Sequence, residues 1–169
     1  MHRKRMVGII GGVVVLAMAI TWYLFRPELL FINRTVSEKF PASGKEATSA
    51  SSAPTVLSRG SFHGLAHETK GVATIYELPD GKRALRLTEF ETSNGPDVRV
   101  YLVAALEAKD NETVRRAGFV DLGAMKGNIG DQNYEVGADI DLGKYRSVSI
   151  WCHRFGVNFG AASLAPARG

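Results

Sequence analysis

Past residue 58 the chain carries four side chains of the types that hold transition metals or move electrons: Cys152, His63, His67 and His153. Thiolate and imidazole suit zinc, copper and haem iron. Their spacing limits what they can do together. In one extended strand His63 and His67 would lie ~13 Å apart, too far to share an ion unless the strand bends. Cys152 and His153 are neighbours, so in a strand they face opposite ways. At most one residue of each pair can readily meet at a site, and His67 with Cys152 is the preferred pairing. The ordinary reading of each histidine as a surface or hydrogen-bonded residue stays open beside it. Cys152 is the single cysteine, which excludes an intrachain disulfide and leaves a core residue, an interchain pair, or a reactive thiol or ligand.

Other chemistry is sparse. Asp139 and Asp141, with Asp131 upstream, offer oxygen ligands for calcium but no EF-hand series, and turns use aspartate for local reasons. Ser61, Ser93, Ser147 and Ser149 lack any context that would activate a nucleophile. There is no nucleophile elbow, phosphate-binding loop, His-Glu-x-x-His or Cys-x-x-Cys-His. Gly118–Gly130 is glycine-rich without the strand-to-helix setting of a dinucleotide site and reads as a loop. No catalytic motif marks the chain as an enzyme.

The net charge of +4 is not a nucleic-acid signal. Residues 1–58 hold seven Lys/Arg against three Asp/Glu, and residues 59–169 hold fourteen of each. A phosphate-binding groove needs a concentrated basic face, so nucleic acid is not an expected partner.

The elements that must position these groups begin with an anchor. Residues 1–6 form a basic tail, and Val7–Phe25 is nineteen residues without a charge, ~28 Å of helix against a hydrocarbon core of ~30 Å. Arg3, Lys4 and Arg5 should stay cytoplasmic and place the remainder outside the cell membrane, in a single pass through the lipid bilayer. Ala17-Met18-Ala19 resembles a signal-peptidase site, but the apolar run continues through Phe25, which favours an uncleaved signal-anchor. Residues 26–58 read as a juxtamembrane segment and linker. Pro41–Ser58, rich in Ala, Ser, Thr and Pro, cannot order itself by burial and reads as a flexible tether of ~20–25 Å reach.

Residues 59–169 change to short alternating segments. Val98, Val100 and Leu102 alternate with polar or aromatic neighbours, as do Val148, Ile150 and Cys152, and Phe155, Val157 and Phe159. Runs at Val72–Leu78 and Ala84–Phe90 flank Pro79-Asp80-Gly81, and Asn94, Gly95, Pro96 and Asp97 form a second, structural turn. Asp110–Arg116 has room for one or two helical turns. The fold expected is all-β: a small β-sandwich or barrel-like domain preceded by one transmembrane helix.

The order of segments in this region resembles the DM13 domain. The matching residues are Gly60-x-Phe62, His67-x-x-x-Gly71, Leu85-x-Leu87, Phe90-x-Thr92-x-Asn94-Gly95-Pro96-Asp97, Val100-Tyr101-Leu102 and Asp121-Leu122-Gly123. They continue with Lys126-Gly127-Asn128-x-Gly130-Asp131-Gln132-x-Tyr134, Tyr145-x-Ser147-Val148-x-Ile150-Trp151-Cys152 and Phe155-x-Val157-x-Phe159-Gly160-x-Ala162. The resemblance covers nearly all of residues 60–165. It implies a small extracytoplasmic β-sandwich-like module with an electron-transfer role. In it Cys152 acts as a bare thiol or holds a prosthetic group such as haem; residue type adds a transition metal as a further possible group and His67 or His153 as further candidates. It also implies a separate redox partner protein, since no DOMON-type domain accompanies the module here. The competing expectation is a non-enzymatic recognition or adhesion module in which Cys152 is only a core residue.

Overall fold

The computed structural model describes residues 2–25, 28, 32–41 and 53–167. The N-terminal helix α1 runs His2–Phe25 and contains Met6–Leu24, a stretch long and apolar enough to cross a membrane. Its apolar side chains from Met6 to Leu24 lie exposed, and Arg154 of the domain donates to the Leu24 carbonyl.

The remainder is one ten-stranded sheet rolled into a half-barrel, so the expected all-β domain preceded by one helix is what forms. The strands are β1 Thr35–Ser37, β2 Thr55–Gly64, β3 Lys70–Glu77, β4 Arg83–Glu91, β5 Val98–Val103, β6 Phe119–Ala124, β7 Ile129–Val136, β8 Ser147–Cys152, β9 Val157–Ser163 and β10 Ala165–Pro166. Their order across the sheet is β1-β7-β4-β3-β2-β9-β8-β5-β6, with β10 on β2. The sheet turns its corner at β2. Residues up to Ser61 pair with β3, and Phe62–Gly64 pair with β9.

The Pro79-Asp80-Gly81 turn forms as the sequence suggests. Gly81 N–H donates to the Leu78 carbonyl at 2.8 Å, with Gly81 at φ +79° where L side chains are strained. The concave face buries Ile75, Leu85, Leu87, Phe90, Val100, Leu102, Val148 and Ile150 as one core. Each such side chain contributes about 1.5–3 kcal/mol relative to exposure.

Two features depart from the sequence reading. The β8 strand is buried on both faces rather than half-buried, because the helix α2 (Asn111–Ala117) and the preceding loop cover its outer side. There Tyr101, Val103, Ala108, Val114, Trp151 and Ala161 make a second apolar cluster. Asp110 caps α2, its carboxylate accepting from Thr113 N–H at 2.7 Å. The glycine-rich run 118–130 is also not a loop: it contains β6 and leads into β7. Its glycines at 118, 123 and 130 have positive φ and punctuate the strands rather than dissolving them.

Residues 26–58 contain structure as well. The β1 strand lies parallel to β7, Val36 opposite Gly130, and β2 begins at Thr55. Gly130 is required for this docking, since a Cβ there would meet the Val36 carbonyl oxygen at 2.1 Å. Side chains then fasten the strand. Asn128 Oδ1 accepts from Arg34 N–H at 2.7 Å, and Lys126 Nζ reaches Glu38 at 2.9 Å. Asn133 N–H donates to Glu38 at 2.7 Å, and the nearly buried Arg86 joins the Glu38 carbonyl at 3.1 Å to Asp131 at 2.6 Å. Residues 42–52, the centre of the expected tether, lie outside the described residues.

Candidate functional site

Cys152 is the last residue of β8, opposite Val98 of β5 and Val157 of β9. Alternation turns its side chain to the concave face, where none of its surface is exposed and it belongs to the core of Val148, Ile150 and Phe159. His67 sits in the bend after β2, half-buried, with its ring on that of Phe159 at a centroid distance of 3.9 Å. Burial pulls its pKa below the ordinary histidine value and favours the neutral ring. His67 thus rests on Phe159, a member of the core that also includes Cys152, and no hydrogen bond joins the imidazole to the thiol among the described residues. His153 faces away from the core and is exposed, with Nδ1 2.9 Å from the Tyr101 hydroxyl. His63 is exposed, 3.6 Å from Glu107.

The four candidates therefore occupy four separate environments. Among the described residues, no three His, Cys, Asp or Glu side chains gather in a way that could hold a metal ion. Asp131, considered with Asp139 and Asp141 for calcium, is bound to Arg86 instead. A haem or metal on Cys152 would need space beside the sulfur and further ligands. Cavities of about 190 Å³, lined by Glu68, Lys70 and Glu91, and about 170 Å³, by Leu78, Arg83 and Tyr134, lie elsewhere and are small for a cofactor. The residues around Cys152 do not fit such a group.

The Asn94-Gly95-Pro96-Asp97 segment bounds the same end of the core. Asn94 Oδ1 accepts from Gly95 N–H at 2.9 Å, and the Asp97 carbonyl accepts from His153 N–H at 2.8 Å. Gly95 has no positive φ; what it supplies is space, because a Cβ would come within 2.9 Å of Val98 and 3.3 Å of Phe159.

Two groupings were not foreseen. Gln132, wholly buried on β7, accepts from Lys126 N–H at 3.1 Å and the Tyr134 hydroxyl at 2.6 Å and donates to the Gly127 carbonyl at 2.9 Å. The Lys126–Tyr134 motif is thus a polar scaffold at the β6–β7 turn, and burial pushes the Tyr134 phenol up. The second grouping lies on the outer face of the sheet. Tyr101, without exposed surface, stacks on Phe119 at 4.2 Å with an interplanar angle of 2°, and on Trp151 at 6.3 Å and 27°. Arg115 of α2 lies over the Trp151 ring at 5.7 Å. Phe119, 43% exposed, brings this stack to the surface. Arg99 bridges Asp97 at 3.0 Å and Asp121 at 2.8 Å beside it. Burial pushes the Tyr101 phenol up; Asp121 and Asp97 add to this and Arg99 opposes it. Outward-facing aromatic residues on two paired strands, Tyr101 and Trp151, were the signal in the sequence that this face is covered.

Compared with known proteins, residues 61–164 match the model of the family described as electron transfer DM13. That is 104 of the 169 residues, nearly the whole sheet. No curated protein and no solved structure gives a significant match.

Proposed function

The chain belongs to the electron transfer DM13 family, and from that premise we propose that it is a membrane-anchored redox module. It stands outside the cytoplasm and exchanges electrons with a separate partner protein. The family match carries the reading. The length and flanks of α1 support the anchor, with the lipid bilayer around residues 7–25 and the basic end inside. Cys152 enters this reading as a bare thiol and not as a ligand, because it is wholly buried and, among the described residues, no group of metal-ligating side chains gathers at it.

The full chain in detergent micelles tests this. Protein-film voltammetry should give a reversible signal in material whose visible spectrum and metal content show no stoichiometric chromophore or ion. A chain that exchanges no electrons with the electrode or with soluble mediators overturns the redox reading, and a stoichiometric bound chromophore overturns the bare thiol.

One observation favours a second reading, a cell-surface recognition module. Cys152 is packed as an ordinary core residue beside Val148 and Ile150. Under that reading Cys152→Ala leaves every functional property except stability unchanged.

A further inference from the structure

We infer that Tyr101 and His153 form a proton-coupled redox pair, with Tyr101 as the group that gives up a single electron through Phe119 at the surface. This rests on the electron-transfer reading above and adds to it a redox role for Tyr101, to which the sequence analysis gave none.

The pair is assembled by the β5–β8 pairing. Tyr101 stands on the outer face of β5, and His153 follows β8, its N–H held by the Asp97 carbonyl just before β5. A buried phenol that loses an electron becomes a strong acid. Leaving the resulting cation in a covered apolar site is costly, so the proton must leave with the electron. Here it has somewhere to go. The hydroxyl donates to His153 Nδ1 at 2.9 Å when the ring carries its own proton on Nε2.

The balanced step is as follows. One electron passes from Tyr101 to a high-potential, one-electron metal centre on a partner protein, which is reduced by one. The Tyr101 O–H bond breaks, an N–H bond forms at His153 Nδ1, and the products are a neutral phenoxyl radical and an imidazolium. A one-electron donor reverses both transfers. Beside Tyr101, Arg99 is paired with both Asp97 and Asp121. Arg115 is held against Trp151 and by the Gly156 carbonyl at 2.8 Å, on the far side of the stack.

The aromatic neighbours supply the route. Tyr101 has no exposed surface, which shields a radical from water and small reductants. Phe119 is parallel to it at 4.2 Å and exposed, so a partner touching Phe119 comes within roughly 8 Å of the phenol. Cys152, on the opposite face of β8, has no such exit: no hydrogen bond to its sulfur is found among the described residues.

The test uses the full chain in detergent micelles with photogenerated tris(bipyridine)ruthenium(III) as the oxidant. The wild type should give a phenoxyl radical by electron paramagnetic resonance and transient absorption, formed more slowly in D2O. Tyr101→Phe, which keeps the stack, should abolish that signal although Tyr23, Tyr76, Tyr134 and Tyr145 remain. His153→Gln keeps a hydrogen-bonding group but not the base, so it should lower the yield about tenfold or more and remove the solvent isotope effect, with circular dichroism unchanged. Phe119→Ala should weaken quenching of the oxidant. A phenoxyl signal that persists in Tyr101→Phe, or an unchanged yield in His153→Gln, overturns the pair. If voltammetry of the wild type is silent, the redox reading fails as a whole; if it is active but unaltered by Tyr101→Phe, only the pair fails.

Discussion

Substituting Cys152 separates packing from chemistry. The side chain is enclosed by Val98, Val148, Ile150, Val157 and Phe159. Cys152→Ala removes one sulfur from a closed apolar site, losing about 1 kcal/mol of transfer free energy plus a few tenths for the small cavity. Cys152→Ser loses the same transfer term and also buries a hydroxyl, for which the surrounding side chains offer no partner, at a further ~1–3 kcal/mol. For a folded unit of this size each kcal/mol moves the melting temperature by roughly 4 °C. The serine variant should therefore melt several degrees below the alanine variant, which should melt a few degrees below the wild type. Thermal melts followed by circular dichroism on the full chain in detergent read both shifts, and voltammetry on the same samples reads electron exchange. A serine variant as stable as the wild type would show a wet or hydrogen-bonded thiol and refute the burial argument. Loss of the voltammetric signal in a folded alanine variant would assign exchange to the thiol.

Gly95→Val should lower the melting temperature, because its Cβ would press on Val98 and Phe159; unchanged stability with loss of a ligand would make the segment a binding site instead of a structural turn. Burial alone would push Glu38 up, but the Lys126 ammonium and the Asn133 N–H outweigh it and hold the carboxyl below its ordinary 4.5. A depressed folded value means that its stabilisation is present above 4.5 and lost as pH falls through the lower folded value. Hydrogen exchange of residues 34–38, corrected for intrinsic rates, should accelerate in that acid window in the wild type and show no such step in Glu38→Gln. His67, with its value lowered by burial, contributes stability above 6.5 that declines as pH falls through its folded value, and His67→Phe should flatten that part of the melting profile. Protease added outside intact cells expressing the chain should trim the domain; protection there, with cleavage from the cytoplasmic side alone, would reverse the proposed topology.

What was legible in the sequence was whatever is written locally. The apolar run of α1, the alternation in β5 and β8 and the Pro79-Asp80-Gly81 turn each report on residues within a few positions. The β6 and β7 strands were obscured because glycines at 118, 123 and 130 break their alternation and because Gln132 is buried by polar partners, not by apolar character. The site was harder still. Cysteine and histidine suggested a metal by residue type, yet each entered a different environment. The Tyr101–His153 contact spans 52 residues and exists only through the pairing of β5 with β8.

The docking of β1 changes what the segment after the helix can do. A flexible tether between anchor and domain would let the domain search a wide volume for its partner. Here the chain is fastened to the domain from Ile32 onward, where Asn94 donates to the Ile32 carbonyl and Asn128 to Asn33, and residues 42–52 join two strands of one sheet and add nothing to the leash. Between the end of α1 at Phe25 and the first fastened residue, Ile32, lie six positions, at most ~25 Å when fully extended. With α1 in a bilayer, the attached edge of the domain is then confined to that distance from the membrane surface, and the redox partner proposed above would have to present its own group there. Beside the β1–β7 ladder, the grip has a charged part open to substitution: Glu38 on Lys126, and Arg86 between the Glu38 carbonyl and Asp131. Lys126→Met with Arg86→Met should release β1 and lengthen the leash by the residues of β1 and the segment beyond it, widening the range of membrane partners reached. A crosslinking radius unchanged by that double substitution would mean that the grip on β1 does not set the reach of the domain.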